Sequence, residues 1–106
     1  MYRPLPNSLT IQSSPIEGIG LFATQFIPKG TDLGMTHIYD ERFPDNYIRL
    51  PLGGFFNHSP SPNCEIVEKS YDEIIKNIKH LRLITIKDIN QHEEITATYT
   101  LYNPEL

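Results

Sequence analysis

Three short segments of the 106-residue chain hold the residue types from which a site could be built. They are Gly18-Ile19-Gly20-Leu21-Phe22-Ala23, then Phe56-Asn57-His58-Ser59 with Pro62-Asn63-Cys64, then Glu93-Glu94-Ile95-Thr96 followed by Tyr99. A Gly-x-Gly pair lets the backbone turn tightly or approach a ligand closely. It is not the dinucleotide fingerprint, because the third glycine and the following helix are missing. Asn57 and His58 offer donors and acceptors that either satisfy loop backbone or hold a polar ligand. Glu93-Glu94 reads by itself as a solvated turn and Tyr99 as a ring packed on the rim of a core, so a functional reading rests on the three segments together.

Mostly short strands must position these segments. Leu9–Ser14 alternates apolar and polar residues, as a half-buried strand does. Ile27-Pro28-Lys29-Gly30 reads as a turn, and Thr31–Ile38 is again strand-like. Residues 39–54, dense in Pro, Gly, Asp and Asn, predict an irregular connection with one helical turn near Asp45–Arg49. Asn57–Cys64 is too polar and proline-rich for a helix or central strand and is expected to be a loop, followed by a short strand over Cys64–Glu68. Ser70-Tyr71-Asp72-Glu73 matches a capping box for a short helix through Ile74, Ile75 and Ile78, and a hairpin is the competing reading. His80–Ile86 is rich in β-branched residues and reads as a strand, Ile89–His92 as a turn, and Glu93–Tyr99 as a final short strand.

Composition narrows the classes. With 9 Pro and 6 Gly, long helices and helical bundles are disfavoured, and the expectation is one mostly-β domain over residues 1–106. A chain this size buries only about 60–70% of its unfolded surface, so a bound cofactor or a homodimer partner would add needed burial. A single cysteine, Cys64, excludes an intramolecular disulfide framework or a Cys-rich zinc site, and the four scattered histidines show no ligand spacing, so no metal is expected. The net charge of -4 argues against direct nucleic-acid binding and favours a basic partner. No apolar run approaches a membrane span and Met1-Tyr2-Arg3-Pro4 lacks the pattern of a secretion signal, so the expected location is the cytoplasm, or the host cytoplasm for a viral source.

In order and separation, the three segments resemble the SET domain family of S-adenosylmethionine-dependent protein lysine methyltransferases, over about Leu9 to Tyr102. The Asn-His-Ser loop with its downstream Pro-Asn-Cys and the Glu-Glu-Ile-Thr-x-x-Tyr segment are distinctive together, and Ile27–Gly30 and Leu83–Ile89 also look like the family's connecting strands. The resemblance implies a mostly-β SET-domain β-clip of small curled sheets with short helical turns. In that fold the C-terminal segment around Tyr99 threads beneath the loop carrying Asn57 as a pseudoknot. It implies S-adenosylmethionine as methyl donor and, as substrate, a protein with an accessible lysine in a basic or flexible segment.

By the same resemblance Tyr99 is the catalytic tyrosine, orienting the amine rather than acting as a base, since an ordinary phenol is scarcely ionised at neutral pH. Asn57 would hold the amino acid end of the donor and His58 the adenine through backbone groups, with the backbone of Gly18, Ile19 and Gly20 closing over it. Tyr47, Phe56 and Tyr102 are candidate aromatic walls of the donor pocket or lysine channel, and Ala97 is a small residue that leaves room for more than one methyl. Having no cysteine after Tyr99, the chain is similar to the small viral and bacterial members without a zinc module, which leaves Tyr102, Pro104 or a second subunit to cover the channel. The reading from a different class is a non-catalytic interaction module that keeps the fold and the donor pocket.

Overall fold

The computed structural model describes residues 5–98. In chain order these form β1 (Leu9–Ser13), β2 (Ile19–Ala23), β3 (Asp32–Tyr39), a 3-10 turn at Pro44–Asn46, β4 (Tyr47–Arg49), a second 3-10 turn at Pro51–Gly54, β5 (Asn57–His58), β6 (Cys64–Asp72), β7 (Lys76–Thr85) and β8 (Glu94–Ala97). Each 3-10 turn opens on a proline, whose fixed φ suits a first helical position and whose missing N–H costs nothing there. The mostly-β architecture of small sheets expected from the sequence is the one observed.

Two four-stranded sheets run in the orders β1-β2-β8-β5 and β4-β3-β7-β6. Both send apolar side chains into one core. Leu9, Leu21 and Ile95 come from the first sheet, Leu33 and Leu83 from the second, and Leu52 and Phe56 from the connection between them. Ile27 and Ile89 close the space by exchanging two backbone hydrogen bonds of 2.8 Å each. Cys64 is buried in this core and burial pushes its thiol up to about 12, so it is a protonated packing group.

One open choice is settled and two expectations need correction. After Ser70 the chain takes the hairpin of the two readings, formed by β6 and β7, and the capping-box helix does not form. Asp72 Oδ2 accepts the N–H groups of Ile74 and Ile75 at 2.9 Å each, an Asx-type turn that competes with a helix. Ile74 stays 88% exposed, so a helix there would have had no apolar surface to cover. The helical turn near Asp45–Arg49 falls earlier, at Pro44–Asn46, and Tyr47–Arg49 is a strand paired with β3. Asn57 and His58, expected in a loop, form the two-residue strand β5.

A buried histidine sets part of the acid sensitivity. His37 is 3% exposed, with Nδ1 2.9 Å from Thr36 Oγ1. The Thr36 hydroxyl donates to Leu81 O, so it must accept from the ring, which places the imidazole proton on Nδ1. Nε2 is buried without a hydrogen-bond partner among the described residues. Burial and then the nearby Arg49 charge push the pKa down to about 4, from an ordinary 6.5. Because the unfolded chain takes up the proton first, stability is full above 6.5 and is lost as pH falls toward 4. The loss from this group is about 3 kcal/mol. Urea titrations over that range should show His37→Gln with a shallower pH slope than the parent; parallel slopes would refute the assignment.

Candidate functional site

β8 is the element on which the three segments meet. On one side it pairs antiparallel with β2, Leu21 opposite Ile95 and Phe22 opposite Glu94. On the other it pairs in parallel with β5, Asn57 opposite Thr96 and His58 opposite Ala97. The Asn63 side chain extends that second edge: Nδ2 donates to Glu94 O at 2.8 Å and Oδ1 accepts from Thr96 N at 2.9 Å. Its carboxamide thus substitutes for a peptide group, meeting a donor and an acceptor that strand β8 would otherwise leave open. Ser59 N donates to Ala97 O at 3.2 Å, and the Thr98 hydroxyl donates to Ser59 O at 3.3 Å. The segment leading to Tyr99 therefore passes between β2 and the Asn57–Asn63 stretch. Tyr99 and Tyr102 lie outside the described residues.

A polar node ties the three segments together. Ser14 Oγ lies 2.8 Å from each carboxylate oxygen of Glu94, to which its hydroxyl donates. It accepts in turn from Ile16 N at 2.9 Å. Asn57 Nδ2 donates to Glu94 Oε2 at 2.7 Å, with Ser14 Oγ at 3.1 Å and Glu17 O at 3.3 Å. A half-buried carboxylate needs such partners, and charge-assisted bonds of this length are among the stronger ones. The carboxylate lies so close over Gly20 that a Cβ there would overlap Oε2, and this contact explains the glycine. Gly18 is different: its φ is +45° and the space beside it is open, so the requirement is the turn itself, closed by Ser14 N donating to Gly18 O at 2.8 Å.

The node brings Gly18, Gly20 and Asn57 together, with Ile19 between the glycines at 57% exposure. His58 follows Asn57 in β5 and is half-buried. Phe56 is 2% exposed in the core, directly before β5. Ala97 is fully buried opposite His58. Tyr47 is placed elsewhere: its ring meets His37 and Tyr39 edge-on, with centroids at 6.2 and 5.7 Å, and its hydroxyl donates to Glu68 Oε1 at 3.3 Å. These contacts belong to the second sheet, and burial followed by the Glu68 charge pushes the phenol pKa up.

Sequence reasoning assigned no role to Ser14 and read Glu94 as half of a solvated pair. One signal separates the two glutamates. Ile95 faces the core, so strand alternation turns Glu94 to the opposite face, whereas Glu93 precedes the strand and accepts Asn90 N at 3.1 Å. Among the described residues no group of His, Cys, Asp and Glu could hold a metal ion, and no helix is long and apolar enough to cross a membrane.

Comparison with known proteins gives a consistent result. The family model for the SET domain matches residues 35–100. The chain is 27% identical, over 92% of its length, to a Plasmodium falciparum (isolate 3D7) protein named "Putative histone-lysine N-methyltransferase 1". It spans only 2% of that relative's length. Among solved structures, a Plasmodium falciparum "putative histone methyltransferase" superposes with a TM-score of 0.68 at 22% identity, covering 87% of this chain and 96% of the other. A humanized mutant of the Chaetomium thermophilum Polycomb Repressive Complex 2, bound to the inhibitor GSK126, gives 0.65 at 19% identity, over 91% of this chain and 15% of that one. At these identities the two structures speak to the fold.

Proposed function

Since the chain belongs to the SET domain family, we propose that it is a protein-lysine N-methyltransferase that uses S-adenosylmethionine as donor. The observation that carries this reading is the convergence of the Gly18–Gly20 turn, Asn57 and the strand leading to Tyr99 on one polar node. A turn, a two-residue strand and a four-residue strand suffice to build this node.

The residues fit such a donor. The open space beside Gly18 and the exposed Ile19 leave room above the turn. Asn57 spends only its Nδ2 on described neighbours, so its carboxamide oxygen is available to the amino acid end. His58 would serve the adenine through its backbone, with Phe56 anchoring β5 from the core. When bound, the donor would supply an electrophilic methyl on a sulfonium to a lysine amine that has already released its proton to solvent, the thioether leaving with the S–C electron pair.

This chain's residues have to align a neutral amine and exclude water. A lysine ammonium ordinarily loses its proton near pH 10.4, and an apolar channel disfavours the charged form. Tyr99 would orient the amine lone pair, with Tyr102 and Ala97 bordering the channel. Tyr47 has a packing role through its contacts with His37 and Tyr39. The net charge of -4 suits a basic, flexible protein segment as substrate.

The test is calorimetry with S-adenosylmethionine and S-adenosylhomocysteine, followed by incubation with labelled donor and a mixed protein extract. Saturable heat and label recovered as methyl-lysine are expected. Donor binding without label transfer would leave a binding module, and neither heat nor thermal stabilisation would remove the donor site altogether.

A further inference from the structure

We infer that Glu94 is a positioning residue for the donor site: through Asn57 it fixes which carboxamide atom the site presents, an acceptor oxygen suited to the α-ammonium of a sulfonium amino acid. The inference rests on the proposed reading that Asn57 meets the donor.

An asparagine carboxamide is nearly symmetric in shape and opposite in chemistry at its two ends, so something must choose its orientation. A carboxylate chooses without ambiguity, because it only accepts. Glu94 Oε2, 2.7 Å away, therefore draws Nδ2 inward. The remaining inward contacts agree: Glu17 O can only accept, and the Ser14 hydroxyl proton is already turned to Glu94. All three bonds to described residues leave from Nδ2, and none involves Oδ1. Nor is Oδ1 a buried orphan, since His37 Nε2 is the one buried side-chain nitrogen or oxygen without a partner among the described residues. The oxygen thus points outward, and the node determines that the surface offers an acceptor rather than a donor. An ammonium matches that oxygen; a carboxylate would be repelled by it. The glycine at position 20 belongs to the same device, because any Cβ there would displace the carboxylate that sets the polarity.

Glu94→Gln is close to isosteric but can donate or accept, so Asn57 becomes free to flip. Calorimetry compares two ligands, S-adenosylhomocysteine, which carries the ammonium, and 5′-methylthioadenosine, which lacks the amino acid end. Affinity for the first is expected to fall about tenfold or more and for the second less than about twofold. Equal losses for both ligands would reduce Glu94 to a structural prop and overturn the inference. Should Glu94→Gln fail to fold, the double variant Glu94→Gln/Asn57→Asp decides. Its new carboxylate accepts from the new amide and still presents an oxygen, so S-adenosylhomocysteine affinity should return to within about threefold of the parent. A folded double variant that does not bind would refute the polarity argument. Failure of the parent protein to bind either ligand would instead sink the proposed function, which keeps the two failures distinct.

Discussion

Replacing Tyr99 by phenylalanine is expected to slow methyl transfer about 10²–10³-fold, with donor affinity changed less than about twofold. The substitution deletes one hydroxyl and keeps the ring, so packing is retained and a positioned dipole is lost. That loss matters because the reaction requires little beyond alignment: the nucleophile is the substrate's own amine, and a lone pair swung out of line with the sulfonium does not react. A base role predicts a different profile. If the phenol removed the proton, Tyr99→Phe would flatten the pH–rate curve, whereas loss of an orienting contact lowers the curve at every pH. Single-turnover transfer of labelled methyl across pH, with donor affinity measured separately, distinguishes the two. Retention of the parent rate would contradict the enzymatic reading at its centre. The described chain ends one residue before Tyr99, at Thr98, whose hydroxyl donates to Ser59 O in the segment that follows β5.

Local pattern was enough for most of the sheet strands. The β-branched run His80–Ile86 lies in β7 up to Thr85, and the alternation at Leu9–Ser14 becomes β1 up to Ser13, because both stretches carry their own signal of one apolar face. It failed where the deciding partner is distant. Asn57 and His58 are polar and lie next to a proline-rich loop, and they form a strand only because β8 supplies an edge. The pair Ser14 and Glu94 is separated by 80 positions, and Asn57 and Glu94 by 37, so no window of local sequence shows that the carboxylate is answered by a hydroxyl and an amide. At residues 70–78 two local signals conflicted, a capping box and a hairpin. The Asx-type turn at Asp72 prevailed because Ile74 and Ile75 had no surface to cover. For the site, the residue types and their order were legible through the resemblance, while the bond pattern that makes Glu94 more than a solvated charge required the fold.

Gly20→Ala is expected to destabilise the protein by about 2–3 kcal/mol, well beyond the ~1 kcal/mol expected of Gly18→Ala. The reasons differ. At Gly18 the penalty is conformational, a Cβ forced to φ +45° with open space around it. At Gly20 the backbone is ordinary, but the new methyl would overlap Glu94 Oε2 and approach Ser14 Cβ to 3.0 Å. The carboxylate can escape only by leaving the Ser14 hydroxyl and the Asn57 amide, and those half-buried donors lose their charged acceptor together. The consequence is a specific non-additivity. With Glu94→Ala already in place, the carboxylate overlap and the bonds are gone and only the 3.0 Å approach to Ser14 Cβ remains, so adding Gly20→Ala should cost less than about 1 kcal/mol more. Urea unfolding of the four proteins closes this cycle. If Gly20→Ala costs as much in the Glu94→Ala background as in the parent, the glycine is required by something other than the carboxylate, and the node is not what holds the turn to β8.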